Sequence, residues 1–222
     1  MILESVKKNP TLSEKAYRVI RDAIVTNRLA PGEILTEEQL SEMLSISRTP
    51  VRTAINKLTD EGLLIDREKG LVVTPMTTED VDSIALIRKA VEPLVIDKLQ
   101  GKVTAEMIDE LRALVERQRA IALSRLSSSE DYMEYIDVDF QFHTALARWT
   151  QDRFLLDIVS RINTHSTRGL ILSSSLPFAH KKAVEEHASI IDNLEKENYV
   201  AAREAMEHHI SNVHDRFFQD HK

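Results

Sequence analysis

TEEQLSEMLSISRTPVRTAINKLTDEG, Thr36 to Gly62, reads as two helices separated by a two-residue turn. Thr36 and Gln39 have the capping-box form, a hydroxyl at the N-cap and an amide three residues on. The helix they open runs from Glu37 to Leu44, with Leu40, Met43 and Leu44 inward. Ser45-Ile46 makes the turn, and Ser47 is placed to cap a further helix over Arg48 to Glu61. Pro50 falls in the first turn of that helix, where a missing N–H does no harm. Val51, Ala54, Ile55 and Leu58 form one apolar stripe, which leaves Arg48, Thr49, Arg52 and Asn56 on other faces. Gly62 ends the helix.

Upstream, Ala16, Val19, Ile20, Ala23 and Ile24 make a helical stripe over Leu12 to Asn27, broken at Leu29-Ala30-Pro31-Gly32. Ile34-Leu35 is a short apolar pair. Downstream, Leu63-Leu64-Ile65 and Leu71-Val72-Val73 read as two short strands around a polar tip, Asp66 to Gly70. Three helices and a hairpin in this order make a winged helix-turn-helix, whose last helix offers its N-terminal residues to the DNA major groove. Arginine there can pair bidentately with guanine, and threonine can contact phosphate or a thymine methyl. The competing reading is a protein-binding winged domain in which Arg48 and Arg52 are merely solvated.

The 222 residues allow two ordinary domains, and the pattern changes at Met76. This predicts a DNA-binding domain over residues 1–76 and an all-helical domain over 77–222. The net charge of −7 argues against nucleic acid only as a whole-chain sum. Residues 1–76 hold 11 basic and 11 acidic side chains, so the whole excess of acid lies beyond them. Met43 to Thr59 carries Arg48, Arg52 and Lys57 with no acid, and phosphate responds to that local field. The chain has no cysteine, which excludes disulfides, thiolate metal sites and cysteine nucleophiles. Neither a signal peptide in Met1 to Thr11 nor a later membrane-length apolar run is visible, so the expected location is cytoplasmic.

Beyond Met76 the chain reads as six helices: Glu79–Gln100, Ala105–Leu126, Asp131–Trp149, Arg153–Ser173, Lys181–Lys196 and Tyr199–Phe218. The expected class is mainly α, a winged helix-turn-helix followed by a six-helix antiparallel bundle. Asp139 and His143 stand four apart and share one helix face. His187 precedes Ile190, Ile191 and Leu194 at helical spacing, and His209 sits among Ala205, Met206, Ile210 and Val213. One carboxylate and three imidazoles form a plausible set for a borderline divalent ion such as Zn, Ni or Mn. Each histidine taken alone is more commonly a satisfied core residue. His165, His180, His208, His214 and His221 have surface readings.

The stretches Pro31-Gly32-Glu33-Ile34-Leu35-Thr36-Glu37, Ser47-Arg48-Thr49-Pro50-Val51-Arg52 and Glu61-Gly62-Leu63, with Lys69-Gly70, resemble the DNA-binding domain of the GntR regulators. Ser45 departs from the glycine usual in the turn, and Glu38 stands where some members place a basic DNA contact. Leu86-Ile87-Arg88 with Glu92, Asp139-Phe140-Gln141-Phe142-His143, Glu186-His187 and Met206 with His209 resemble the FCD ligand domain of the FadR subfamily, in its VanR-like branch. The resemblance implies operator contacts by Arg48, Thr49 and Arg52, with the wing tip Lys69 and Gly70 near the minor groove. It implies a divalent metal on Asp139, His143, His187 and His209. It also implies a repressor that binds double-stranded DNA as a homodimer on an inverted repeat and responds to a small organic-acid effector.

Arg88 could clamp the effector's carboxylate or pair with Glu92 one turn on. Arg161 and Arg168, read as one face of their helix, are further clamp candidates, with hydroxyls from Thr164, Ser166 and Ser173–Ser175. A metal-free acyl-CoA-responsive regulator is the alternative. A metal-dependent helical-bundle enzyme is another, though neither His-Glu-x-x-His nor a nucleophile motif is present.

Overall fold

Thr11 accepts the Glu14 N–H through its hydroxyl while the Glu14 carboxylate accepts the Thr11 N–H, a reciprocal cap that opens α1 (Leu12–Val25). That detail comes from a computed structural model, which describes residues 9–68, 70–123, 129–172 and 176–219. The chain divides into two compact units, Met1–Met76 and Thr77–Lys222.

In the first unit, α1 is followed by β1 (Ile34–Leu35), α2 (Glu37–Leu44), α3 (Arg48–Asp60), β2 (Leu64–Arg67) and β3 (Gly70–Val73). The Thr36–Gln39 capping box is present on α2, with the Gln39 N–H 3.1 Å from the Thr36 hydroxyl. Ser47 precedes α3 without a side-chain capping bond, contrary to the expectation from its hydroxyl. Two inward assignments also fail. Val19 on α1 and Met43 on α2 are exposed, while the core takes Ala16, Ile20, Ile24, Leu40, Val51, Ala54, Leu58 and Leu63. Fully burying one such leucine contributes about 1.5–3 kcal/mol.

The sheet has three strands in the order β1-β3-β2, both pairings antiparallel. The pair Ile34-Leu35 is therefore a strand, seated on Val72 and Leu71. Gly70 begins β3 at φ 127°, and a Cβ there would stand 2.8 Å from the Leu35 carbonyl oxygen. The glycine thus has a packing reason as well as its place at the wing tip.

The second unit consists, among the described residues, of α4 (Thr78–Leu99), α5 (Ala105–Leu123), α6 (Ser129–Trp149), α7 (Arg153–Leu172), α8 (Leu176–Glu195) and α9 (Tyr199–Gln219). They pack as a closed circuit, α4 on α9, α9 on α8, α8 on α5, α5 on α6, α6 on α7 and α7 back on α4. Ile96, Leu99, Leu111, Phe142, Leu146, Val159, Ile190 and Met206 meet in its core. The sequence reading starts α8 five residues late, at Lys181. Pro177 suggests a linker there, yet proline fits the first turn of a helix without losing a bond.

Candidate functional site

In the first unit, the exposed side chains of α3 are Arg48, Thr49, Arg52, Thr53, Asn56, Lys57 and Asp60, away from the stripe that α3 buries. The helix is tethered at its far end. Tyr17 on α1 donates its hydroxyl to the Glu61 carboxylate at 2.8 Å, and Lys57 lies 3.8 Å above the Tyr17 ring. The N-terminal arginines face acid from α2. Arg48 pairs with Glu38, and Arg52 donates two hydrogen bonds to Glu37, each at 2.9 Å. The hydrogen bond from Arg52 holds the Glu37 carboxyl below its ordinary range. Acidic side chains of α2 thus occupy the hydrogen-bonding edges of the two arginines expected to meet DNA. Lys69 lies outside the described residues.

In the second unit, α6, α8 and α9 bring three imidazoles together at the centre of the bundle. One ring nitrogen from each of His143, His187 and His209 lies within 4.8 Å of the others, and all three rings are buried. Helical spacing explains the inward placement, because each histidine shares its face with core residues: Leu146 beside His143, Ile190 and Ile191 beside His187, Met206 and Ile210 beside His209. Phe142 stacks on His187 with ring centres 4.1 Å apart. Asp139, one turn before His143, places Oδ1 3.7 Å from His187 Nε2 and Oδ2 4.0 Å from His143 Nε2. The four residues singled out in the sequence therefore stand at one place.

Each imidazole is also held on its other nitrogen. Glu92 Oε2 lies 2.6 Å from His143 Nδ1, Gln118 Oε1 2.9 Å from His187 Nδ1 and Glu186 Oε2 2.8 Å from His209 Nδ1. The two carboxylates are balanced by arginine: Arg88 pairs with Glu92, and Arg216 donates two hydrogen bonds to Glu186. Burial would raise both acids. For Glu92 this is outweighed by Arg88 and His143, which hold it well below the carboxylate range. For Glu186, Arg216 and His209 outweigh burial and set the pKa at about 2. Burial, together with neighbouring cationic groups, pushes His187 and His209 below the ordinary imidazole value, which favours the neutral form of both rings at pH 7.

The Nε2 atoms of His187 and His209 are buried without a hydrogen-bond partner among the described residues. An orphaned buried lone pair costs about 1–3 kcal/mol. Two beside a carboxylate fit the donor set of a borderline divalent cation.

Of the other sequence candidates, Arg88 makes the Glu92 pair, donates to the Ser166 hydroxyl at 2.8 Å and places Nη2 3.4 Å from His143 Nε2. Arg161 and Arg168 do not share an environment: Arg161 is exposed and paired with Asp157, whereas Arg168 is fully buried. Thr164 turns its hydroxyl to the Ser160 carbonyl, and Ser173–Ser175 lie outside the described residues. His208 is exposed, and His214 Nε2 donates to the Asp82 carboxylate at 2.7 Å. Gln118 and the Arg216–Glu186 pairing were absent from the sequence reading. Gln118 sits in an ordinary polar run, Glu116 to Arg119, and nothing in that run marks one amide as buried.

A cleft lined by Arg88, Asp139, Asn163, Ser166, Thr167 and Arg216, among others, opens beside the cluster.

Residues 12–73 match the family described as bacterial regulatory proteins, gntR family, and residues 83–212 match the FCD domain. The chain is 26% identical over 208 residues to the HTH-type transcriptional repressor RspR of Escherichia coli K12, covering 92% of this chain and 89% of that one. It is 24% identical over 176 residues to the gluconate operon transcriptional repressor of Bacillus licheniformis, covering 79% and 70%. Among solved structures, Escherichia coli McbR/YncC superposes with a TM-score of 0.81 at 19% identity, over 96% of this chain and 99% of that one.

Proposed function

We propose how regulation works in this chain, which belongs to the gntR family of bacterial transcription regulators that carry an FCD domain. It is a DNA-binding regulator and not an enzyme, so the metalloenzyme alternative falls. In our reading it is a repressor. Arg48, Thr49 and Arg52 contact the operator from α3, and Lys69 with Gly70 at the wing tip approaches the minor groove.

Two copies bind an inverted repeat as a homodimer. Support for self-association comes from α4 and α7, which pack on each other and leave Leu86, Ile87 and Leu94, and Phe154 and Ile158, exposed. Apolar side chains outward on two adjoining helices fit burial against a second copy.

The sensing half rests on one observation, the buried His143–His187–His209 cluster with the orphaned Nε2 atoms of His187 and His209. These imidazoles with Asp139 would hold a divalent cation, of which Zn, Ni and Mn are the candidates. When bound, the cation supplies concentrated positive charge and open positions for an anionic oxygen. Around the cluster, Asp139, Glu92 and Glu186 stand against Arg88 and Arg216, which leaves one net negative charge. A divalent ion reverses that sign, so the occupied site favours an anion. The cleft beside Arg88 then suits a small organic acid, and the gluconate operon regulated by one relative fits that chemistry. Effector binding releases DNA because the acid binds one arrangement of the chain better than the other.

Metal analysis of the purified protein beside Asp139→Ala and His187→Ala tests this reading. About one divalent ion per chain, lost in both variants, is expected. Wild-type protein that takes up none of the three metals would overturn it. An operator band-shift screen of organic acids then tests the effector class.

A further inference from the structure

Gln118 comes from α5, a helix that offers no candidate ligand, and its side chain is fully buried. Its amide touches two of the four candidate ligands at once: Nε2 donates to Asp139 Oδ1 at 3.0 Å, and Oε1 lies 2.9 Å from His187 Nδ1.

The direction of that bridge is forced. An ionised carboxylate only accepts hydrogen bonds, so the amide must turn its NH2 to Asp139. Its carbonyl oxygen then faces His187 Nδ1, and an oxygen acceptor requires a proton there. With the proton on Nδ1, the His187 lone pair stands on Nε2, the atom directed toward His143 and His209. The opposite tautomer would set Gln118 Oε1 against a second lone pair and place a proton where a cation must bind. Phe142, stacked on the ring, fixes its plane but not its tautomer. An ionised carboxylate at position 118 would serve His187 equally well, but it would meet Asp139 as a like charge in a buried site. The other two imidazoles have glutamate partners, each with its own arginine. The third partner is an amide because its other neighbour is a ligand carboxylate.

We propose that Gln118 is the positioning residue of the metal site, its amide orienting Asp139 and fixing the His187 tautomer that presents Nε2 to the cation. The inference rests on the metal reading for its consequence, although the tautomer can be measured without metal.

Long-range proton–nitrogen NMR correlation of the imidazoles in metal-free, 15N-labelled protein reads the tautomer directly. His187 is expected as the Nδ1–H form; the Nε2–H form in the wild type would overturn the proposal outright. Zn²⁺ affinity by competition with a chromophoric chelator supplies the second readout. Gln118→Met, close in volume but unable to bridge, is expected to bind Zn²⁺ about 10–100-fold more weakly, the usual cost of losing such an outer partner.

Gln118→Glu still turns an oxygen acceptor to His187 Nδ1 and should keep the Nδ1–H tautomer. Unchanged Zn²⁺ affinity in Gln118→Met, or an Nε2–H His187 in Gln118→Glu, would refute the assignment. Wild-type protein that binds no Zn²⁺, Ni²⁺ or Mn²⁺ removes the metal reading itself, and the tautomer still judges Gln118 separately.

Discussion

The two units handle charge in opposite ways. In the first, Arg48 and Arg52 pair with Glu38 and Glu37 on an exposed face, where water screens both partners. In the second, Arg88 and Glu92 pair with side chains only 3% exposed, beside three imidazoles that are also buried. An exposed pair contributes about 0–1 kcal/mol and opens readily for a better partner. A buried pair contributes little relative to apolar residues, but removing one half strands a charge without water. Ion pairs therefore serve binding in the first unit and geometry in the second. On the proposed reading the surface arginines are released to meet DNA, whereas the buried groups stay fixed so that the histidines face one another.

The contrast can be broken most forcefully at Glu92. Glu92→Ala leaves the Arg88 guanidinium buried without its carboxylate and should cost about 3–5 kcal/mol. Trp149 is the single tryptophan and lies in α6, so urea unfolding followed by its fluorescence reports on the second unit. A loss below about 1 kcal/mol would place this pair in the surface class.

Next in size, Arg48→Ala should weaken specific operator binding by about 1–3 kcal/mol with folding stability unchanged. A band shift showing unaltered affinity would remove Arg48 from the interface.

A smaller, stabilising effect is expected at the turn. Ser45 holds φ 54° and ψ 39°, a left-handed conformation that a side chain disfavours. Ser45→Gly should raise the stability of the first unit by about 0.5–1 kcal/mol, after the extra freedom that glycine gives the unfolded chain. Amide hydrogen exchange in α2 and α3 would show this as slower opening, and faster exchange would contradict it.

Smallest for folding is Glu38→Gln, expected to change stability by less than about 0.5 kcal/mol. Operator affinity should nevertheless rise several-fold, because Arg48 is freed and an acid is removed from the DNA-facing side. Equal affinity for both proteins at low salt would mean that the Arg48–Glu38 pair does not compete with DNA.

The winged unit was largely legible because its signals are local. Two capping positions, a proline in a first turn and a stripe at helical spacing each depend on neighbours within a few residues. What the local pattern left open is what a distant segment decides. Ile34-Leu35 is a strand only because β3 arrives beside it, and Gly70 is needed only because Leu35 does. Thr11 and Glu14 show the converse, a capping box whose two partners lie three residues apart in the sequence.

In the second unit, six helices and the inward faces of Asp139, His143, His187 and His209 followed from periodicity and from resemblance. Periodicity says which way a histidine points, but not which helix it meets. The circuit of α4, α9, α8, α5, α6 and α7 decides that.

What the sequence determined by itself was the winged motif, the run of helices and the residue types able to bind DNA or metal, since these are properties of short stretches. Only the tertiary structure decided that three imidazoles share one space, that Glu37 and Glu38 pair with Arg52 and Arg48, and that Gln118 lies between His187 and Asp139. Such contacts join residues 10 to 69 positions apart in the chain, and hydrogen bonds of that kind carry no local pattern. They form only when the fold brings the distant partners together, and in the second unit packed helices also remove the water that would otherwise satisfy each group.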